Sequence, residues 1–264
     1  MIIIAERINA TRKRIGRAVA DRDGGFIAGE ARSQAQAGAT YIDCNAGRKP
    51  EREIEDLKWM IEVVQGAVDL PIAIDSANPK AIEEALKLVK KTPIINSVSA
   101  EKDKIAAVMP LIAAHETQAV ALCMGDRGMP SDKEERIAAA EEVRCAAEAH
   151  GVPLSRLYFD PIIVPVSTSP AEAQAAIETV RHIMSRFPGA HTTCGLSNIS
   201  FGLPNRNVLN RTYMAMLMAA GLDGAIMDPT EPHMMSTVLA AEALMGRDEY
   251  CMNYIQAGRT DRLD

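Results

Sequence analysis

Polar residues recur at the ends of short apolar runs along this chain. Reading each run to its C-terminal edge gives Glu6, Arg7 and Asn9; Asp43 and Asn45; Asp75 and Ser76; Asn96 and Ser97; Asp126 and Arg127; Asp160; Ser197 and Asn198; and Asp228. Carboxylates and carboxamides are the side chains that read a flat heterocycle carrying amide and amine groups. An ionised Asp accepts from a ring N–H and an adjacent NH2, while an Asn donates and accepts together. Any one of these residues alone serves equally well to cap the helix that follows. That explains Asn78 before Pro79, but Asp75 and Asn96 stand several residues ahead of their helices. The stretch "CGLSNISFGLPNR" (194–206) is the densest case. It is too small and polar for a core and too uncharged for an ordinary surface loop, so it reads as a place where something is held.

The elements that must position these groups follow a repeating plan. Short β-branched runs fall at 2–9, 39–45, 71–76, 92–99, 118–125, 157–163, 191–198 and 224–229. Segments with helical apolar spacing follow them, at roughly 13–37, 51–66, 78–90, 101–115, 131–149, 169–187, 204–220 and 231–245. Strand then helix, eight times over 264 residues, predicts an α/β protein with one (β/α)8 TIM barrel, whose active sites form at the C-terminal rim of the strands. Asn78-Pro79 and Ser169-Pro170 read as helix starts, and Gly38, Gly66, Gly151, Gly189 and Gly221 as helix stops. No linker or low-complexity block divides the chain. The barrel is expected over 1–246, with a C-terminal tail over 247–264.

Composition narrows the class of partner. A formal net charge of −6 argues against a nucleic-acid surface, which shows as a basic excess. Five cysteines without a C-x-x-C pair fit reduced thiols and a cytoplasmic compartment. The opening "MIIIAERINA" is apolar for too short a run to be a signal peptide, and no run reaches the length of a membrane span. The chain carries no H-E-x-x-H, G-x-S-x-G or P-loop motif and no His/Cys/Asp cluster at metal-ligand spacing, so no metal site is expected. The five histidines fall mainly in helices or at their ends, and His191 is placed at the foot of strand seven, the stability face of a barrel.

"DSANPKAIEEAL" (75–86), "NSVS" (96–99), "FDP" (159–161) and "GLSNISFGLPNR" (195–206), with "ERIN" (6–9), resemble the pterin-binding barrel family. Within it, the chain is most similar to the methyltetrahydrofolate:corrinoid protein methyltransferases. The resemblance covers about residues 2–245, and the block around Asn198 is its most specific part. It implies a pterin ring held by Asp75, Asn96 and Asp160. It also implies an Asn198 amide bonded near the pterin N5, a pocket wall shaped by Gly195 and Ser197, and Arg206 near the substrate mouth. Ala5 stands where relatives often have Gly, and the loop over 124–136 differs from the one expected of an acetogenic enzyme of this family, which bears on the identity of the corrinoid partner.

The implied reaction moves a methyl group between N5 of (methyl)tetrahydrofolate and cobalt, and one site serves either direction. A tertiary amine leaves poorly unless hydrogen-bonded or protonated. Asn198 is the candidate catalytic donor, acting through a bond that strengthens in the transition state, and Asp160 is the candidate carboxylate of a proton-carrying network. The chain lacks D-x-H-x-x-G, the motif by which many corrinoid proteins ligate cobalt. The corrinoid (cobalamin) is therefore expected on a separate partner protein, as part of one-carbon metabolism. A homodimer is implied by the family, and the Met-rich "YMAMLMAAG" (213–221) suits core or dimer packing. Two alternatives stand beside this reading. A dihydropteroate synthase calls for a Gly-rich, lysine-bearing stretch after strand six, where this chain has "DPIIVPVS" (160–167). A non-catalytic folate-binding subunit has no need of Asn198.

Overall fold

The computed structural model describes residues 1–47 and 50–263. The β-branched runs form eight short strands: β1 (Ile2–Ala5), β2 (Tyr41–Cys44), β3 (Ile72–Asp75), β4 (Ile94–Ser99), β5 (Gln118–Leu122), β6 (Leu157–Asp160), β7 (His191–Thr192) and β8 (Gly224–Met227). Each strand from β1 to β7 pairs in parallel with its sequence neighbour, and β1 also pairs with β8. The ring is completed by a parallel bridge between Gly195 and Ile226, where the Ile226 N–H donates to the Cys194 carbonyl at 2.8 Å. The result is the expected (β/α)8 barrel.

The helices form the outer layer: α1 (Lys13–Ala20), α2 (Gly24–Gln36), α3 (Glu53–Ala67), α4 (Pro79–Leu86), α5 (Lys102–Ala114), α6 (Lys133–Ala149), α7 (Pro170–Arg186), α8 (Arg206–Ala220), α9 (Met234–Leu244) and, beyond the repeat, α10 (Met252–Arg259). None among the described residues is long and apolar enough to cross a membrane. Outward-facing strand residues such as Ile42, Ile74 and Ile95 pack against apolar helix faces that include Leu57, Ile61, Ile82 and Ile112.

Several boundaries depart from the expected ones for local reasons. The single helix expected over 13–37 is two helices, because Arg22 adopts φ 56 and Asp23 restarts the helix by accepting from the Phe26 N–H at 3.0 Å. Strand seven is only two residues long. The chain leaves it and coils into a 3-10 turn over Leu196–Ser200, so Ser197 and Asn198 sit on a turn and not at a strand end. Asn78 caps α4 as expected, accepting from the Lys80 N–H at 3.1 Å. Ser169 makes no such bond, although Pro170 does open α7. Gly66 continues α3 rather than ending it, whereas Gly221, at φ 120, does end α8.

Strand periodicity places the functional rim. Ile4, Tyr41, Ala73, Ile94, Val120 and Tyr158, one from each of β1 to β6, form a single buried cluster inside the barrel. Side chains alternate in a strand, so the residue two positions on faces the same way. Those residues are Glu6, Asp43, Asp75, Asn96, Leu122 and Asp160, and all six line one cavity at the C-terminal mouth. The layer of the barrel above the apolar plug is thus almost wholly polar. Below the plug, His191 stacks on Tyr158 with ring centroids 4.7 Å apart and pairs through Nδ1 with Asp223 at 2.6 Å, the packing role expected of it.

Candidate active site

The mouth cavity measures about 710 Å³. Of the residues expected to hold the heterocycle, Asp75, Asn96, Asp160, Gly195, Ser197 and Asn198 all line it. Arg206 does not. Its guanidinium lies behind the turn, donating from Nη2 to the Ser197 carbonyl at 2.6 Å and from Nε to Ser200 Oγ at 3.0 Å, so it braces the segment that carries Asn198.

One wall is a hydrogen-bonded set of carboxylates and carboxamides from β2, β3 and β4. Asn45 Nδ2 donates to Asp75 Oδ2 at 2.8 Å, and Asn96 Nδ2 donates to Asp43 Oδ1 at 3.2 Å. Asp75 and Asn96 are register partners on adjacent strands. Burial, then the charge of Asp75 beside it, pushes the Asp43 carboxyl well above the usual range. Burial also raises Asp75, against the bonds it accepts from Asn45 and Asp43. Two carboxyls so close share a proton more readily than both ionise, which leaves Asp43 as donor and Asp75 as acceptor.

Asp160 forms the opposite wall. Burial pushes its carboxyl up to about 6, offset in part by backbone N–H bonds from Ile162 and Gly195 and by the nearby Arg136 cation. The Ile162 N–H donates to Asp160 Oδ1 at 2.8 Å. The thiols of Cys123 and Cys194, just beyond the ends of β5 and β7, are driven up by burial and by the Asp160 charge, so they stay neutral and inert.

The 3-10 turn closes the third side. Ser197 Oγ donates to Glu6 Oε1 at 2.9 Å, the oxygen that also receives Arg12 Nη2 at 3.0 Å. Burial raises the Glu6 carboxyl in spite of both. Asn198 is exposed to the cavity, with its amide unengaged by the surrounding protein among the described residues. Met129 and Phe201, 59% and 66% exposed, stand at the mouth as part of the lining.

Glu6, Asp43 and Asn45, polar strand-end residues to which the resemblance assigns no role, also belong to this site. The signal that finds Glu6 and Asp43 is the two-residue offset from an inward apolar position, visible in "IAE" (4–6) and "YID" (41–43) as in "AID" (73–75). Among the described residues, no group of three or more His, Cys, Asp or Glu is disposed to hold a metal ion.

The family model for pterin binding enzymes matches residues 5–228. The chain belongs to that family. Over its whole length this pterin-binding chain is 39% identical to a methylcorrinoid:tetrahydrofolate methyltransferase of Eubacterium limosum, covering 98% of that protein. Across 86% of its length it is 29% identical to methionine synthase of Mycobacterium leprae, of which it spans 20%. Among solved structures the fold matches dihydropteroate synthase from Xanthomonas albilineans in complex with 7,8-dihydropteroate, with TM-score 0.68, 19% identity and 92% of each chain covered. The dihydropteroate synthase of Thermus thermophilus matches with TM-score 0.67, 21% identity, 92% of this chain and 94% of that one. At such identities these two speak for the barrel alone.

Proposed function

We propose that this pterin-binding enzyme transfers a methyl group between N5 of tetrahydrofolate and the cobalt of a corrinoid carried by a separate protein. The observation that carries the reading is the single cavity in which the Asp75–Asn96 pair and Asp160 face the free Asn198 amide. The family match and the full-length identity to a methylcorrinoid:tetrahydrofolate methyltransferase support it. In this reading Asp75 and Asp160 accept from the N–H and NH2 groups of the pterin, and Asn96 bonds its edge. Gly195 and Ser197 shape the wall at N5, and Arg206 holds the turn in place.

The relative is named for transfer from a methylcorrinoid to tetrahydrofolate, and we adopt that direction. The N5 lone pair attacks the methyl carbon, the carbon–cobalt bond breaks with both electrons left on cobalt, and N5 gives up its proton. The carboxylates that line the cavity to take it are Asp160, the one expected from the sequence, and Glu6, which is bonded through Ser197 to the turn that carries Asn198. In reverse, the same proton and the Asn198 amide make the tertiary amine a better leaving group. The stretch over 160–167 carries no lysine, which sets the chain apart from the dihydropteroate synthase alternative.

The finer organisation belongs to the same proposal: a catalytic barrel over 1–246 with 247–264 appended, working as a cytoplasmic homodimer. Exposed Leu244, Met252 and Ile255 on α9 and α10 supply apolar surface for a second copy, and a monomeric mass in solution would refute that part. The test of the reaction is chromatographic. Incubating the protein with tetrahydrofolate and methylcobalamin should give 5-methyltetrahydrofolate in proportion to enzyme, and a yield no greater than without protein, from free and protein-borne corrinoid alike, would refute it.

A further inference from the structure

Arg136, in the first turn of α6, is fully buried, a rare state for a side chain that never loses its charge. Two of its nitrogens, Nε and Nη2, reach the same short segment. Nε donates to the Pro161 carbonyl at 2.7 Å, Nη2 to the Ile162 carbonyl at 3.3 Å and Nη1 to the Asp132 carbonyl at 2.9 Å, and Nη2 also pairs with Glu172 at the start of α7. Pro161 and Ile162 are the two residues that follow Asp160. Ile162 has φ 60, a left-handed conformation that a β-branched residue adopts only when its surroundings impose it. In that conformation its N–H points back to Asp160 Oδ1 at 2.8 Å, and Ile162 and Ile163 both line the cavity.

We infer that Arg136 is a positioning residue for the pterin site: its fork clamps the Pro161 and Ile162 carbonyls, and the left-handed turn so held fixes the Asp160 carboxylate toward the cavity. The inference rests on the pterin-binding reading of that cavity. A buried ion pair is weak evidence of stabilisation in itself, since apolar residues of similar volume often serve as well. What an apolar replacement does not supply is a planar donor that grips two consecutive carbonyls. The cation also acts directly on the group it positions. Asp160 faces Arg136 from α6, the neutral thiols of Cys123 and Cys194 just beyond β5 and β7, and, across the cavity, Asp75, Asp43, Glu6 and the Arg12 paired with Glu6. Of the two cations, Arg136 is the one that lowers the Asp160 carboxyl, while Arg12 is engaged by Glu6.

The experiment titrates tetrahydrofolate by calorimetry into the parent, Arg136→Gln and Arg136→Lys between about pH 5.5 and about pH 8, with thermal unfolding recorded alongside. Arg136→Gln should weaken binding about tenfold or more at neutral pH. It should also move upward the pH at which affinity falls to half, because Asp160 loses the cation that helps keep it ionised. Arg136→Lys, which keeps the charge without the fork, should restore the pH midpoint more fully than the affinity. A folded Arg136→Gln with parental affinity and midpoint overturns the inference. If neither Arg136 variant folds, Glu172→Gln decides. It loosens the fork without removing the cation and should weaken binding by about threefold, and parental affinity there overturns the inference equally. A parent that binds no tetrahydrofolate would instead overturn the reading of the cavity.

Discussion

Asn198 Nδ2 lies 3.1 Å from the point that a Cβ on Gly195 would occupy. The absence of a side chain at Gly195 is therefore what leaves room for the Asn198 amide. Backbone strain is not the reason, since Gly195 has φ −74, which any residue adopts. Gly195→Ala should leave thermal stability within about 0.5 kcal/mol while displacing the amide by a few tenths of an ångström. Methyl transfer should slow about tenfold. Parallel measurement of unfolding and of turnover checks this, and unchanged turnover would show that the amide position does not matter.

Asn198→Ala tests the amide itself. A donor that strengthens its bond only as charge develops on N5 affects rate and not ground-state binding. The expected outcome is a loss of about 10²-fold in single-turnover rate with tetrahydrofolate affinity within about threefold of the parent. Equal losses in both would mean uniform binding.

Asp160 links function to stability through its pKa, about 6 in the fold against 3.8 for an ordinary Asp. The sign follows from the shift: its stabilising contribution is present below 3.8 and is lost as pH rises through about 6. At pH above 7 the ionised, buried carboxylate costs up to about 3 kcal/mol. Asp160→Asn keeps the acceptor for the Ile162 N–H. It should raise resistance to urea by about 2 kcal/mol near neutral pH, a gain that fades toward pH 4, and weaken tetrahydrofolate binding about 100-fold. Urea titrations at the two pH values read the first effect and calorimetry the second. Tetrahydrofolate binding by the parent should likewise weaken as pH falls through about 6.

Much of this site is legible in the amino-acid sequence, because strand periodicity and the polar end of each strand are both written there. Asp75, Asn96 and Asp160 fall where expected for that reason, and the offset from Ile4 and Tyr41 adds Glu6 and Asp43 to them. Other features depend on contacts between distant segments. Beyond β7, Gly195 bridges to Ile226 of β8, and the chain then coils into a 3-10 turn where the sequence reads as a strand end around Asn198. The break at Arg22 hides inside a run of helical spacing. Arg136 sits in a charged first turn, Lys133–Arg136, and what draws it into the core are the distant carbonyls of Pro161 and Ile162 and the carboxylate of Glu172.

Met129 and Phe201, both exposed at the cavity mouth, offer apolar contacts to a corrinoid approaching over the rim. Phe201→Glu should slow transfer with a protein-borne corrinoid by about tenfold or more while changing tetrahydrofolate affinity by less than about threefold, the pattern of a mouth contact that acts mainly on docking. A rate equal to the parent's would place the approach elsewhere on the rim.

The most direct test of the central claim follows the corrin absorbance. Methylcobalamin mixed with tetrahydrofolate, and Co(I) cobalamin mixed with methyltetrahydrofolate, should each interconvert at a rate proportional to this protein, if need be with a corrinoid protein supplying the cobalt, and Asn198→Ala should remove most of that rate. Tetrahydrofolate binding without any protein-dependent change in the corrin spectrum, with free and protein-borne corrinoid alike, would contradict the methyltransferase account and leave a folate-binding protein in its place.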